Sequence, residues 1–263
     1  MRTMFFEAAL AALLVTGTMY GAGDDLAAIS AEVDREADEL EQEKKTASEI
    51  LLSCSQLIPT ERLLLTGTLK VKKLRGFILQ ENPYKLMLDW GANPPNAELM
   101  LLDPGGTSLV QRAVMTRKPG AAAELKLFSG PEQKPEETPN FAGRVSGTDL
   151  TWLDLSLDFL WWKDARFDTP ARGESRNGRD CHIIIAGPPK PIHGCSAVRV
   201  WVDRQLHCIM QAEQIGPQGD TVRRMWVQRV KKMNDRWMIR DMEVSTLNSN
   251  NRTQLLVEDV ATP

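Results

Sequence analysis

Cys181, His182, His193 and Cys195 frame the stretch CHIIIAGPPKPIHGC, and thiolate and imidazole are donors that zinc prefers. Their order along the chain opposes a shared ion. The residues after His182 have strand character, and successive side chains on a strand point to opposite faces, so Cys181 and His182 diverge. A Cys181 to Cys195 disulfide meets a related objection. If AGPPKPIHG is a hairpin loop, Cys195 stands at its base and Cys181 lies about five residues along the partner strand, at ~3.3 Å per residue and so beyond the ~7 Å reach of a bridge. Cys208, on the next strand, is displaced from both. Free, buried thiols are therefore expected, unless a different register brings Cys181 and Cys195 together; no metal or cofactor is expected.

The other catalytic signatures are missing too. The three histidines, His182, His193 and His207, form no zinc-protease helix motif, and the chain has no G-x-S-x-G elbow, phosphate loop or dinucleotide fingerprint. Its 35 Asp and Glu residues are scattered, so no acid/base pair stands out. An enzyme is not expected; one acting on a lipid or glycan would need a polar cluster that only folding assembles. The net charge of -3 excludes the basic footprint of a nucleic-acid-binding domain.

What does stand out is apolar. Residues 150–162, LTWLDLSLDFLWW, hold three of the seven tryptophans, and their only charges are Asp154 and Asp158. On a helix capped by Thr148 or Thr151, with Asp154 in the first turn, Leu150, Leu153, Leu157, Leu160 and Trp161 form one face. Trp152, Leu155, Phe159 and Trp162 form the adjacent one. A helix apolar over most of its circumference is buried, so this one either plugs a hollow as permanent core or forms the lid of an apolar cavity.

The elements around it follow from periodicity. Leu26, Ile29, Val33, Ala37, Leu40, Ala47, Leu51, Cys54 and Ile58 recur at helical spacing, with docking expected only from about Thr46. In LLLTGTLKVKK the period becomes two. Strand-like runs follow at 76–80, 84–90, 97–102, 108–116 and 124–128, punctuated by Pro, Gly and Asn. Residues 129–147 read as a loop and 163–179 as a polar connection. Strands resume at 179–186, 196–203, 206–214, 221–230, 236–247 and 252–260, joined by tight turns that make sequence neighbours sheet neighbours. The first residues, MRTMFFEAALAALLVTGTMYGAG, have the layout of a secretory signal peptide, with an uncleaved anchor or a buried first helix as alternatives; the anchor is disfavoured because the apolar run is short of the ~20 residues that span a bilayer.

GRDCHIIIAGPP, SAVRVWVDR, LHCIMQAEQIGPQGD, RWMIRDMEV and RTQLLVEDV resemble the successive C-terminal strands of LolA-like outer-membrane lipoprotein-sorting proteins. Trp201, Val202 and Asp203, followed by a turn and a strand carrying QAE, are the most specific piece. ASEILLSCSQLI leading into LLLTGTLKVKK resembles the family's first helix and strand. The resemblance implies a half-open, incomplete β-barrel whose concave apolar face is covered by short helices and receives the acyl chains of a lipoprotein for transfer across the periplasm. An inner-membrane transporter and an outer-membrane receptor would then be partners.

The expected fold is thus α+β, mainly β: a single strongly curved antiparallel sheet with an N-terminal helix and an inserted apolar helix over the concave face. The expected organisation is a signal peptide at 1–23, an acidic helical lead-in at 24–45 and a monomeric half-barrel domain at 46–263. Strand parity and the helix faces nominate Leu65, Leu69, Phe77, Leu86, Leu88, Leu157, Leu160, Trp161 and Met225 as the ligand-binding lining. The function expected is that of a periplasmic carrier of lipid or lipoprotein, with a filled-core envelope scaffold as the alternative.

Overall fold

In the computed structural model, the alternation in LLLTGTLKVKK forms β1 (Leu63–Lys73), with Leu63, Leu65, Leu69 and Val71 buried. The described residues are 45–117, 122–130, 132–168, 174–233 and 236–263; the signal peptide and all but the last residue of the acidic lead-in lie outside them. A meander follows through β2 (Ile78–Asp89), β3 (Asn96–Leu102), β4 (Leu109–Thr116), β5 (Glu124–Ser129) and the short β6 (Lys134–Pro135). After the apolar segment come β7 (Asp164–Phe167), β8 (Ser175–Arg176), β9 (Arg179–Gly187), β10 (Ala197–Asp203), β11 (Ile209–Ile215), β12 (Thr221–Met233), β13 (Arg236–Thr246) and β14 (Asn251–Ala261).

Strand β1 pairs with both β2 and β14, so the two meanders join through the first and last strands into one antiparallel sheet. The order is β6-β5-β4-β3-β2-β1-β14-β13-β12-β11-β10-β9-β7, with β8 beside β9 off this path. Edges β6 and β7 do not pair with each other, and the sheet is not closed into a barrel. One face carries the core. Leu69, Leu99, Ala113, Leu127, Ile184, Val200, Met225, Val244 and Leu255 belong to a single cluster that also takes in the helical segments, so the sheet bends around it.

Helix α1 (Ala47–Gln56) starts after Thr46, whose hydroxyl accepts from the Glu49 N–H while the Glu49 carboxylate accepts from the Thr46 N–H. Its stripe Ala47, Ile50, Leu51 and Cys54 is buried. Among the described residues no helix is long and apolar enough to cross a membrane.

Several local expectations are corrected. The runs at 76–80 and 84–90 are one strand, β2, which continues through Pro83. Pairing with β3 begins only at Tyr84, so Pro83 stands beyond the end of that ladder, where its missing N–H removes no bond to β3. The stretch expected to be a loop contains β6, and the polar connection contains β7 and β8. Gly67 lies where the β1–β14 register shifts; a Cβ there would meet the Leu256 carbonyl oxygen at 1.9 Å.

The four cysteines are free. Cys181 sits in a cluster with Ile183 and Trp201 on one side of β9, whereas Cys195 belongs to the main core on the other. Cys181 pairs with Asp203, at the opposite end of β9 from the loop that holds Cys195, so the spacing argument against a bridge describes the geometry. No group of three or more metal-ligating side chains occurs among the described residues.

Candidate functional site

The segment 150–162 lies inside the bend, but not as the continuous helix expected from its periodicity. Thr151 caps α2 (Trp152–Ser156) and forms a reciprocal capping box with Asp154: the Thr151 N–H donates to the Asp154 carboxylate at 2.8 Å, and the Asp154 N–H to the Thr151 hydroxyl at 3.3 Å. The helix stops at Leu157, which is left-handed at φ 49 and ψ 30, and a 3-10 turn, Asp158–Trp161, follows. Ser156 supplies the local cause. Its hydroxyl accepts from the Asp158 N–H at 3.2 Å and so competes with helical bonding.

The break lets two short pieces bury different faces. Leu150, Trp152, Leu153, Phe159, Leu160 and Trp162 are each at most 2% exposed, and Phe159 meets the edge of Trp162 at 6.4 Å. Leu155, Leu157 and Trp161 are half-buried against the same core, with Trp161 stacked on Trp90 at 5.6 Å. The hollow of the sheet is therefore occupied by the chain itself. Two open depressions, about 420 and 430 Å³, lie on the flanks of the loop carrying Pro191 and Ile192, and neither lies beneath this segment.

Polar contacts hold the plug along its narrow hydrophilic strip. Arg223 of β12 contacts Asp154 at 2.5 Å, and both side chains are nearly buried. Arg117, just after β4, bonds to Asp158, lies 3.9 Å from the Trp161 ring centroid and thereby covers that ring's face. Asp158 also accepts from the Trp162 indole N–H at 2.8 Å. At the entry, the Asp149 N–H donates to the Thr253 hydroxyl and its carboxylate accepts from Thr246, both at 2.7 Å. The Arg223 Nε and Nη1 and the Arg117 Nε are buried without a hydrogen-bond partner.

Sequence reasoning missed both arginines, although a signal was present. Buried positions in β12 alternate as Arg223, Met225 and Val227, and β4 continues Gln111, Ala113, Met115 toward Arg117 on the same parity. An arginine on the apolar parity of a strand, in a chain whose buried helix carries two aspartates, indicates an internal ion pair.

Of the nine nominated lining residues, Leu65, Leu69, Leu160 and Met225 are buried in the core cluster, and Leu86, Leu88, Leu157 and Trp161 pack against it. Phe77 is not among them. It stands at the tip of the β1–β2 hairpin, 69% exposed, because the chain turns at Gly76 and β2 begins only at Ile78.

A family model described as "Uncharacterized protein" matches residues 112–262. No curated protein matches the sequence. Among solved structures, the chain is similar to a DUF1329 family protein from Desulfovibrio piger, with 14% identity and a TM-score of 0.67 over 82% of this chain and 91% of that one. An outer membrane lipoprotein-sorting protein domain from Vibrio parahaemolyticus gives 15% identity and a TM-score of 0.66 over 82% and 91%. A LolA superfamily protein from Nitrosomonas europaea gives 15% and 0.64 over 83% and 94%. At such identities the likeness is one of fold, and it is the fold implied by the strand motifs.

Proposed function

The chain belongs to the family whose model matches it from residue 112 to residue 262, and from its LolA-like fold we propose that it is a periplasmic carrier that binds lipid or lipoprotein acyl chains. The reading holds that the structure is its closed form. The observation that carries it is the way segment 150–162 is held: an apolar plug, broken at a left-handed Leu157 and pinned by Arg223 and Arg117. Acyl chains would take the place of the plug against Leu65, Leu69, Leu86, Leu88 and Met225, with Leu157, Leu160 and Trp161 moving as part of the lid.

The exchange is energetically balanced. Six large side chains of the plug are fully buried, and at about 1.5–3 kcal/mol each their burial is worth on the order of 10 kcal/mol. An acyl chain of ~16 carbons, at about 0.8 kcal/mol per CH₂, recovers a similar amount. Neither partner of the exchange wins outright on apolar burial, which leaves the two ion pairs to set the closed bias. Cargo selection would then be loose, because none of the proposed lining residues of the sheet is polar. No reacting group is required, so the role is binding without catalysis.

Lipid extraction and mass spectrometry of protein purified from its native host should find bound acyl chains, and a fluorescent fatty acid should bind the delipidated protein. Protein that is lipid-free from its host and fails to take up the probe overturns the carrier. The nearly complete burial of the plug favours one second reading, an envelope scaffold whose core is permanently closed. In that case deleting residues 24–45 should abolish capture of a protein partner with the fold intact, whereas for a carrier the deletion leaves fatty-acid binding unchanged.

A further inference from the structure

The β1–β2 hairpin ends in Lys73, Leu74, Arg75, Gly76, Phe77, Ile78 and Leu79, and all seven residues are exposed. Leu74, Phe77, Ile78 and Leu79 are 59%, 69%, 53% and 51% open to solvent, a concentration of large apolar groups unlike the scattered singles of ordinary surface. The tip is built rather than frayed. The Gly76 N–H donates to the Lys73 carbonyl and the Lys73 N–H to the Phe77 carbonyl, both at 2.8 Å, and the turn uses a positive φ of 90 that glycine accepts. The Leu74 N–H donates to the Asn250 carbonyl at 3.0 Å, tying the tip to the β13–β14 turn, where Leu247 is exposed as well. Below the tip, β1 is flanked by β2 and β14, so the tip extends from the interior of the sheet and not from an edge strand.

We infer that this tip docks the protein on an anionic lipid surface, with Leu74, Phe77, Ile78 and Leu79 entering the interface and Lys73 and Arg75 meeting headgroup phosphates. Two observations select lipid over a protein partner. Leu74, Phe77, Ile78 and Leu79 lie on both sides of the Gly76 turn and each is more than half exposed, which suits a medium that surrounds the tip better than a surface that packs on one side. The cations lie beside the apolar groups in a chain whose net charge is -3, and a layer of anionic headgroups above an apolar interior complements that order. A second copy would set Lys73 and Arg75 against like charges, and so few side chains fall short of the ~800 Å² per partner of a stable protein interface. A single small tip gives reversible attachment. The inference is independent of whether segment 150–162 opens.

The test is flotation of the full chain with vesicles of phosphatidylcholine alone and of phosphatidylcholine mixed with phosphatidylglycerol. Wild type should float with the mixed vesicles, and amide exchange at 73–79 should slow on binding. Phe77→Ser with Leu79→Ser should cut the bound fraction about tenfold while the melting temperature and fatty-acid uptake stay unchanged, because both side chains are exposed. Lys73→Glu with Arg75→Glu should remove the preference for phosphatidylglycerol. Failure of the wild type to float overturns the inference, as does equal flotation of wild type and the Phe77/Leu79 variant, which would place the attachment elsewhere in the chain. So does concentration-dependent dimerisation that the same variant abolishes, which would make the tip a contact between copies.

Discussion

Asp158→Asn separates a lid from a permanent core. In the closed structure the Asp158 carboxylate faces the Arg117 guanidinium, with side chains 5% and 11% exposed, and also accepts the Trp162 indole proton. An asparagine oxygen can keep the indole bond, but its amide then turns donor against donor toward Arg117. Removing one partner of a buried pair costs about 3–5 kcal/mol. The contact of Arg117 with the Trp161 ring is present with either side chain and so cancels from the difference. The closed state should therefore lose about 3–5 kcal/mol relative to any state in which both groups are hydrated. Thermal stability falls under either reading, so a melting temperature does not discriminate. Ligand affinity does. If only the open state binds acyl chains and is the minor form, the apparent dissociation constant scales inversely with the open fraction, and the substitution tightens fluorescent fatty-acid binding by about 100-fold or more. Amide exchange across 152–161 should accelerate with little dependence on denaturant, the mark of local opening. A destabilised Asp158→Asn protein with unchanged fatty-acid binding, in which those amides exchange only through global unfolding, refutes the lid and leaves the segment as core.

Three further outcomes follow from the same structure. Burial pushes the His182 imidazole down from 6.5 to about 4, with Arg204 and His207 adding to the effect; the unfolded chain then binds the extra proton first, so stability is full above pH 6.5 and declines toward pH 4, and His182→Gln should flatten that part of a denaturation-versus-pH curve. Burial raises the Cys54 and Cys195 thiols to about 12 and those of Cys181 and Cys208 to about 11, so a disulfide reagent at neutral pH should react slowly with the native protein and modify all four cysteines once it is unfolded. Gly67→Ala should destabilise by about 1–3 kcal/mol, read as a lowered denaturation midpoint, because the new methyl group meets the Leu256 backbone rather than a side chain that can move.

Strand order was legible because it depends on local signals. Alternation in LLLTGTLKVKK and tight joints such as GPQGD specify which strands exist and which are neighbours, and β9 to β14 follow that pattern. Parity also placed Leu65, Leu69, Leu86, Leu88 and Met225 correctly on the core side. It failed at Phe77, where it was extended through a turn: GFILQ has the composition of a strand, but the hairpin closes at Gly76 and Phe77 falls outside β2. Residues 150–162 failed for another reason. Their apolar spacing fits one helix, and the break at Leu157 comes from the Ser156 hydroxyl and from tertiary anchors 41 and 69 residues away in sequence, Arg117 for Asp158 and Arg223 for Asp154. No local pattern encodes such a partner; only the conflict of an arginine on an apolar strand face hints at it.

That conflict bears on function. The inner face of the sheet includes Ala97, Ala113, Ala186 and Ala212, positions too small to fill the space inside a wide bend by themselves. Some other apolar body has to occupy that space, since interiors do not leave such volumes empty. In this conformation the body is a segment rich in tryptophan, continuous with the chain and fastened by charged groups. Permanent core is usually joined by apolar contact alone, because replacing buried ion pairs with packed hydrophobic residues tends to leave stability unchanged or improved. Two guanidinium groups sunk into a core are a poor way to make a static plug. They suit one held by contacts that water can replace: the pairs favour the closed form, and because their charges regain hydration when the segment withdraws, that bias stays small.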